Sequence, residues 1–146
     1  MKKTFYFLEY NDGKTDRTVG YFSSPEKLAV AKDACASAGV GADKLAVTEY
    51  SVDVGNNQKF LYALTFVYSV SESGEYVDHV THFEPKTTER ECEWSKYKLL
   101  RDPAYQLTDG RIYQTRDGFK TEKLQIDVIS SVGLIDISKR KKDTLI

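Results

Sequence analysis

KFLYALTFVYSV, residues 59–70, is the stretch whose reading decides the fold. Side chains alternate along a strand, so Phe60, Tyr62, Leu64, Phe66, Tyr68 and Val70 fall on one side. Leu61, Ala63, Thr65, Val67 and Ser69 fall on the other, which is smaller but still largely apolar. A strand apolar on both sides is read as central in a sheet, not as an edge.

Going toward the carboxyl end, Ser71-Glu72-Ser73-Gly74 is a turn signal and residues 75–83 are its hairpin partner. Pro85 stops that strand. Thr88 with Glu91 three residues on fits a capping box. Glu89, Glu91 and Glu93 crowd the start of the helix, and Lys96, Lys98 and Arg101 crowd its end, both favourable to the helix dipole. Trp94 and Tyr97 share a face of it. Asp102-Pro103 ends it. Residues 120–131 and 134–137 read as two further strands.

Going the other way, Gly55-Asn56-Asn57-Gln58 is a short linker and residues 44–54 are a strand. Before it lies a helix with Ser24 as cap, Pro25 at its first position and an apolar stripe of Leu28, Ala31, Ala34, Cys35 and Ala38, stopped by Gly39. Residues 4–10 and 17–22 form a hairpin around Asn11-Asp12-Gly13-Lys14.

Strand, strand, helix, strand is thus given twice. KLAVTEYSVDVG (44–55) is loosely echoed by KLQIDVISSVG (123–133), which suggests duplicated ββαβ units. The expected architecture is α+β, one compact domain with units at 1–55 and 59–138. The units share a mainly antiparallel sheet, or form two abutting sheets, with both helices on one side. Residues 139–146, with Lys139, Arg140, Lys141 and Lys142, are a basic tail. The largest difference between the units is residues 102–119, an inserted hairpin with turns at Asp109-Gly110 and Asp117-Gly118. It offers Tyr105, Arg111, Tyr113 and Arg116 as candidate partner-binding residues, because tyrosine and arginine are enriched where proteins dock. The alternative is that the insertion extends the sheet and its tyrosines lie over the core.

TFYFLEYNDG (4–13), TVGYFSSPEKLAVAK (18–32) and KLAVTEYSVD (44–53) together resemble small bacterial and phage ββαβ domains of unknown function. Those domains share the strand pair, the Ser-Ser-x-Glu-Lys helix start and the strand ending in Tyr-x-x-Asp. The resemblance spans about the first third of the chain. It implies a fold and no catalytic residue.

The net charge is −1 over 146 residues, so there is no general basic field for nucleic acid. Aromatic strands and a basic tail leave RNA or nucleotide binding as an alternative, with no RNP-type pattern to support it. Two separated cysteines, Cys35 and Cys92, are no disulfide framework and fit a reducing compartment. The apolar run after Met1-Lys2-Lys3 breaks at Glu9, too early for a signal peptide, and no apolar stretch of about 18 residues occurs. The reading is cytoplasmic, away from membranes.

Both histidines lie in Asp78-His79-Val80-Thr81-His82-Phe83-Glu84. On a strand His79 and His82 point to opposite sides, whereas Asp78, His82 and Glu84 share one, which makes those three the metal candidates. The usual reading of such a set is a solvated strand face. Cys35 sits among alanines, and Cys92 lies between two glutamates that disfavour a thiolate. There is no nucleophile elbow, zinc-protease helix or phosphate loop. The expected role is therefore a non-enzymatic protein-binding or regulatory module without a cofactor. A bacterial or phage accessory or inhibitor protein is one form of it, and a homodimer through an uncovered sheet face is another expectation. The remaining alternative is a small metal-dependent enzyme.

Overall fold

The computed structural model describes residues 1–130. Within them lie β1 (Lys2–Asn11), β2 (Asp16–Phe22), α1 (Pro25–Ser37), β3 (Leu45–Asp53), β4 (Phe60–Glu72), β5 (Glu75–His82), α2 (Glu89–Leu99), β6 (Ile112–Tyr113) and β7 (Phe119–Gln125). The first sheet has the order β2-β1-β3 and the second β5-β4-β6, with β7 pairing the same edge of the ladder along β4 that β6 continues. Every pairing is antiparallel. The first half runs strand, strand, helix, strand, and the second runs strand, strand, helix, strand, strand, β6 lying in the insertion; each has its first strand in the middle of its sheet.

β4 owes its central place to its two apolar faces. Leu61 and Ala63 pack with Phe5, Phe7, Tyr21 and Val52 of the other sheet and with Val54 just past its last strand. Leu64 and Phe66 pack instead with Cys92 of α2 and with Phe119. The first sheet repeats this division. Phe5 and Phe7 face the second sheet, while Leu8, Val19 and Phe22 pack under Ala31 and Cys35 of α1. The order of layers is α1, sheet, sheet, α2. The two helices thus cover opposite outer faces, not one side as the sequence led us to expect. The reason is that each sheet has two apolar faces, and a single helical layer covers only one of the four. Since both faces of β4 are covered within the chain, its greasiness is accounted for without a second copy.

The helix caps form as the sequence indicates. Ser24 Oγ accepts from the Lys27 amide at 3.1 Å, with Pro25 in the first turn. Thr88 Oγ1 accepts from the Glu91 amide at 3.2 Å. The return bond from Glu91 reaches Thr87, one residue earlier than the standard box, at 3.4 Å from its amide and 3.2 Å from its hydroxyl.

The strand expected over 120–131 starts one residue early, at Phe119, and ends at Gln125. There the chain changes sheets. The Ile126 amide still donates to Lys59 O, but Asp127 takes φ +65° and its amide donates to Tyr21 O of β2. Ser130 N then donates to Val19 O at 2.8 Å. The Asp127 carboxylate accepts from the Ser23 amide at 2.7 Å and from its hydroxyl at 2.6 Å. This latch runs close over Gly20, where a Cβ would stand 2.9 Å from Val128 O. Ser131, the expected strand at 134–137 and the basic tail lie outside the described residues.

The insertion folds onto the sheet. Residues Pro103–Tyr105 form one 3-10 turn, β6 pairs with Tyr68 and Ser69, and Gly118 closes the return at φ +83°. A Cβ on Gly118 would lie 2.7 Å from the Phe66 ring, so the turn and the core beneath it fit only around glycine. No helix among the described residues is long and apolar enough to cross a membrane.

Candidate metal centre

The hairpin of β1 and β2 carries two carboxylates at the end near its turn, Glu9 and Asp16. Their strands slip register between Leu8 and Glu9, and such a bulge re-aims the side chains around it. The last residue of β5, His82, arrives from the opposite sheet, its ring 4.9 Å from that of Phe7. His82 Nε2 lies 2.9 Å from Asp16 Oδ1 and 3.1 Å from Glu9 Oε2. The three side chains are 13%, 9% and 18% exposed, so each keeps a narrow contact with water.

The electrostatics follow from that crowding. Burial alone would lower His82, but hydrogen bonds to Asp16 and Glu9, and their charges, push it up to about 9. The bond from His82 holds Glu9 below the usual carboxylate range. Burial raises Asp16, and its proximity to Glu9 adds to the rise against the opposing pull of His82. One imidazolium N–H thus faces two carboxylate oxygens and can align fully with only one of them.

Three donor atoms from three strands converge on a single point, each within 4.8 Å of the others. A group of this kind could hold a cation. In an octahedral shell with bonds near 2.1 Å, adjacent ligands stand about 3.0 Å apart. The two N–O separations here, 2.9 and 3.1 Å, fall at that spacing, which is also that of the hydrogen-bonded ion pair the three groups form without a metal. An imidazole with two carboxylates suits manganese, iron or zinc, and three protein ligands leave positions open for water or substrate.

Of the sequence candidates, only His82 belongs to this group. His79 and His82 do point to opposite sides. His79 stacks on Tyr68 with ring centroids 5.0 Å apart and contacts Glu72 at 3.3 Å. Asp78 is four residues from His82, about 13 Å along a strand, and accepts from Ser69 Oγ at 2.7 Å. Glu84 lies past the end of β5. Sharing a strand face spreads ligands along a line, whereas a metal needs them gathered from several strands. Glu9 and Asp16 were missed for that reason. A signal existed: Glu9 continues the alternation of Phe5 and Phe7, an acid at an inward position of an apolar strand.

The insertion residues mostly serve the core. Tyr105 meets Phe66 at 5.3 Å and Phe83 at 5.4 Å, edge to face. Arg111 lies 4.1 Å above the Tyr68 ring, and Tyr113 Oη accepts from the Thr108 amide at 3.1 Å. Arg116 is exposed. The strand aromatics Phe5, Phe7 and Phe66 are buried between layers, so they form no open platform for stacked bases. Cys92 is buried. Burial and the glutamates Glu89, Glu91 and Glu93 outweigh Lys86 and push its thiol up to about 11, and Cys35 is raised by burial alone. Neither is an activated nucleophile.

Comparison of the chain with protein-family models, curated proteins and solved structures found no match.

Proposed function

We propose that this protein binds a divalent metal ion through Glu9, Asp16 and His82 and works as a small metal-dependent enzyme. The observation that carries this reading is that two carboxylates and one imidazole nitrogen lie within 4.8 Å of one another. An ion with open positions supplies a polarised water or a Lewis-acid contact to substrate. The chain's own part is to bring the three ligands together from both sheets and to keep bulk water largely away from them.

The test is a thermal titration of chelator-treated protein with manganese and with zinc. A saturating rise in melting temperature is expected, matching about 2.7 kcal/mol at a hundredfold excess over Kd. Glu9→Gln and Asp16→Asn should each weaken the response. Unchanged melting with both metals would end this reading.

A second reading keeps the protein-binding role and moves its contact surface to α2. Trp94 and Tyr97 are 62% and 65% exposed there, beside Arg90 and Glu93 around an open hollow. Large aromatics with an arginine are the residue types that anchor interfaces. Trp94→Ala should abolish capture of a partner and shift stability by less than about 0.5 kcal/mol. A loss well beyond that would make Trp94 a structural residue.

A further inference from the structure

A small polar cavity lies between the sheets against Asp16. Its volume is about 40 Å³, and its walls include Arg17, Thr65, Gln114, Lys120 and Glu122. That is room for one or two waters, or for one anion of a few atoms. Arg17 is the anomaly in these walls. Its Nε is buried and finds no hydrogen-bond partner among the described residues. Lys120, by contrast, is paired with Glu122 at 3.2 Å.

We propose that this cavity seats a small oxyanion of the formate, nitrate or carbonate class, held by Arg17 next to the metal ion. The inference rests on the metal reading above. Once an ion occupies the triad, Asp16 is committed to it and Glu122 to Lys120. The half-buried Arg17 forms no ion pair among the described residues, and an anion in the cavity supplies its counter-charge. A planar oxyanion matches the fork of N–H donors that a guanidinium presents, and a divalent ion nearby adds to the attraction. The size of the cavity sets the class: a phosphate ester or a sugar does not fit without rearrangement. The event is one of binding only, in which water leaves and the anion enters.

The experiment titrates formate into the full chain loaded with manganese, at constant ionic strength, with chloride as the control. Calorimetry reads formate binding, and a separate manganese titration reads the metal site. Saturable formate binding tighter than chloride is expected. Arg17→Met should weaken it about tenfold or more and leave manganese affinity within about twofold. Arg17→Lys keeps the charge and loses the fork, so its formate affinity should fall between the two, which guards against a misfolded methionine variant. Manganese binding with formate no better than chloride would overturn the proposal and leave the metal site standing, with the cavity holding water. Formate binding unchanged in both Arg17 variants would overturn it as well. Absence of manganese binding would sink the metal reading and this inference together.

Discussion

Phe66→Ala is expected to destabilise the fold by about 3–5 kcal/mol, read as a shift in the urea midpoint at unchanged slope. Phe66 stands in the middle of β4 and is 2% exposed. Its ring meets Phe119 at 4.9 Å, Tyr105 at 5.3 Å, Tyr68 at 5.9 Å and Tyr113 at 6.2 Å. Truncation therefore empties the point where β4, β6, β7 and the turn at Pro103–Tyr105 come together. Little can collapse into the gap, because Tyr113 and Phe119 are held by backbone pairing along one flank of β4. A cost under about 1 kcal/mol would show that these rings rearrange freely, and that the insertion is not packed as described.

The second large effect concerns His82. In metal-free protein at neutral pH, His82→Leu should cost about 2–4 kcal/mol, because it leaves Glu9 and Asp16 side by side without the cation between them. Replacing all three, with Glu9→Gln and Asp16→Asn added, should recover most of that loss, since the penalty comes from unpaired charge and not from lost packing. Urea unfolding of the single and triple variants decides it. Equal stabilities for the two would remove the electrostatic explanation.

The same group sets the pH profile of the metal-free protein. The folded value of His82, about 9, stands above its unfolded value near 6.5. Its contribution is fully present below about pH 6.5 and is lost as pH rises through about 9, at most about 3 kcal/mol in all. Glu9 acts at the other end. Its lowered value makes its contribution present at neutral pH and lost in acid. Asp16 opposes both, because burial raises it and its ionisation then costs stability at neutral pH. The alkaline limb, absent in His82→Leu, is the clearest signature.

The secondary structure was legible because local rules governed it. The alternation of residues 59–70, the cap at Ser24 and the glycine turns act within a few residues, and the structure keeps all of them. The stacking of layers was not legible. Alternation says that β4 has two apolar faces, but not which element covers each. The site was legible only through His82. Its partners Glu9 and Asp16 lie more than sixty residues away in the chain, and nothing local encodes the meeting of two sheets. The reading of Asp78 and Glu84 as co-ligands used the correct face and the wrong dimension, along a strand instead of across the interface. Tyr105 and Tyr113 show the same limit. Composition marks tyrosine as able to cover area, and here the area covered belongs to the chain's own core.

Residues 127–130 have a consequence for synthesis on the ribosome. They bond to the outer border of β2, an element made more than a hundred residues earlier. A nascent chain therefore carries that border uncapped while nearly all of the described polypeptide emerges, open to pairing with any neighbouring extended segment. That border of β2 is fastened only once residues 127–130 have been made.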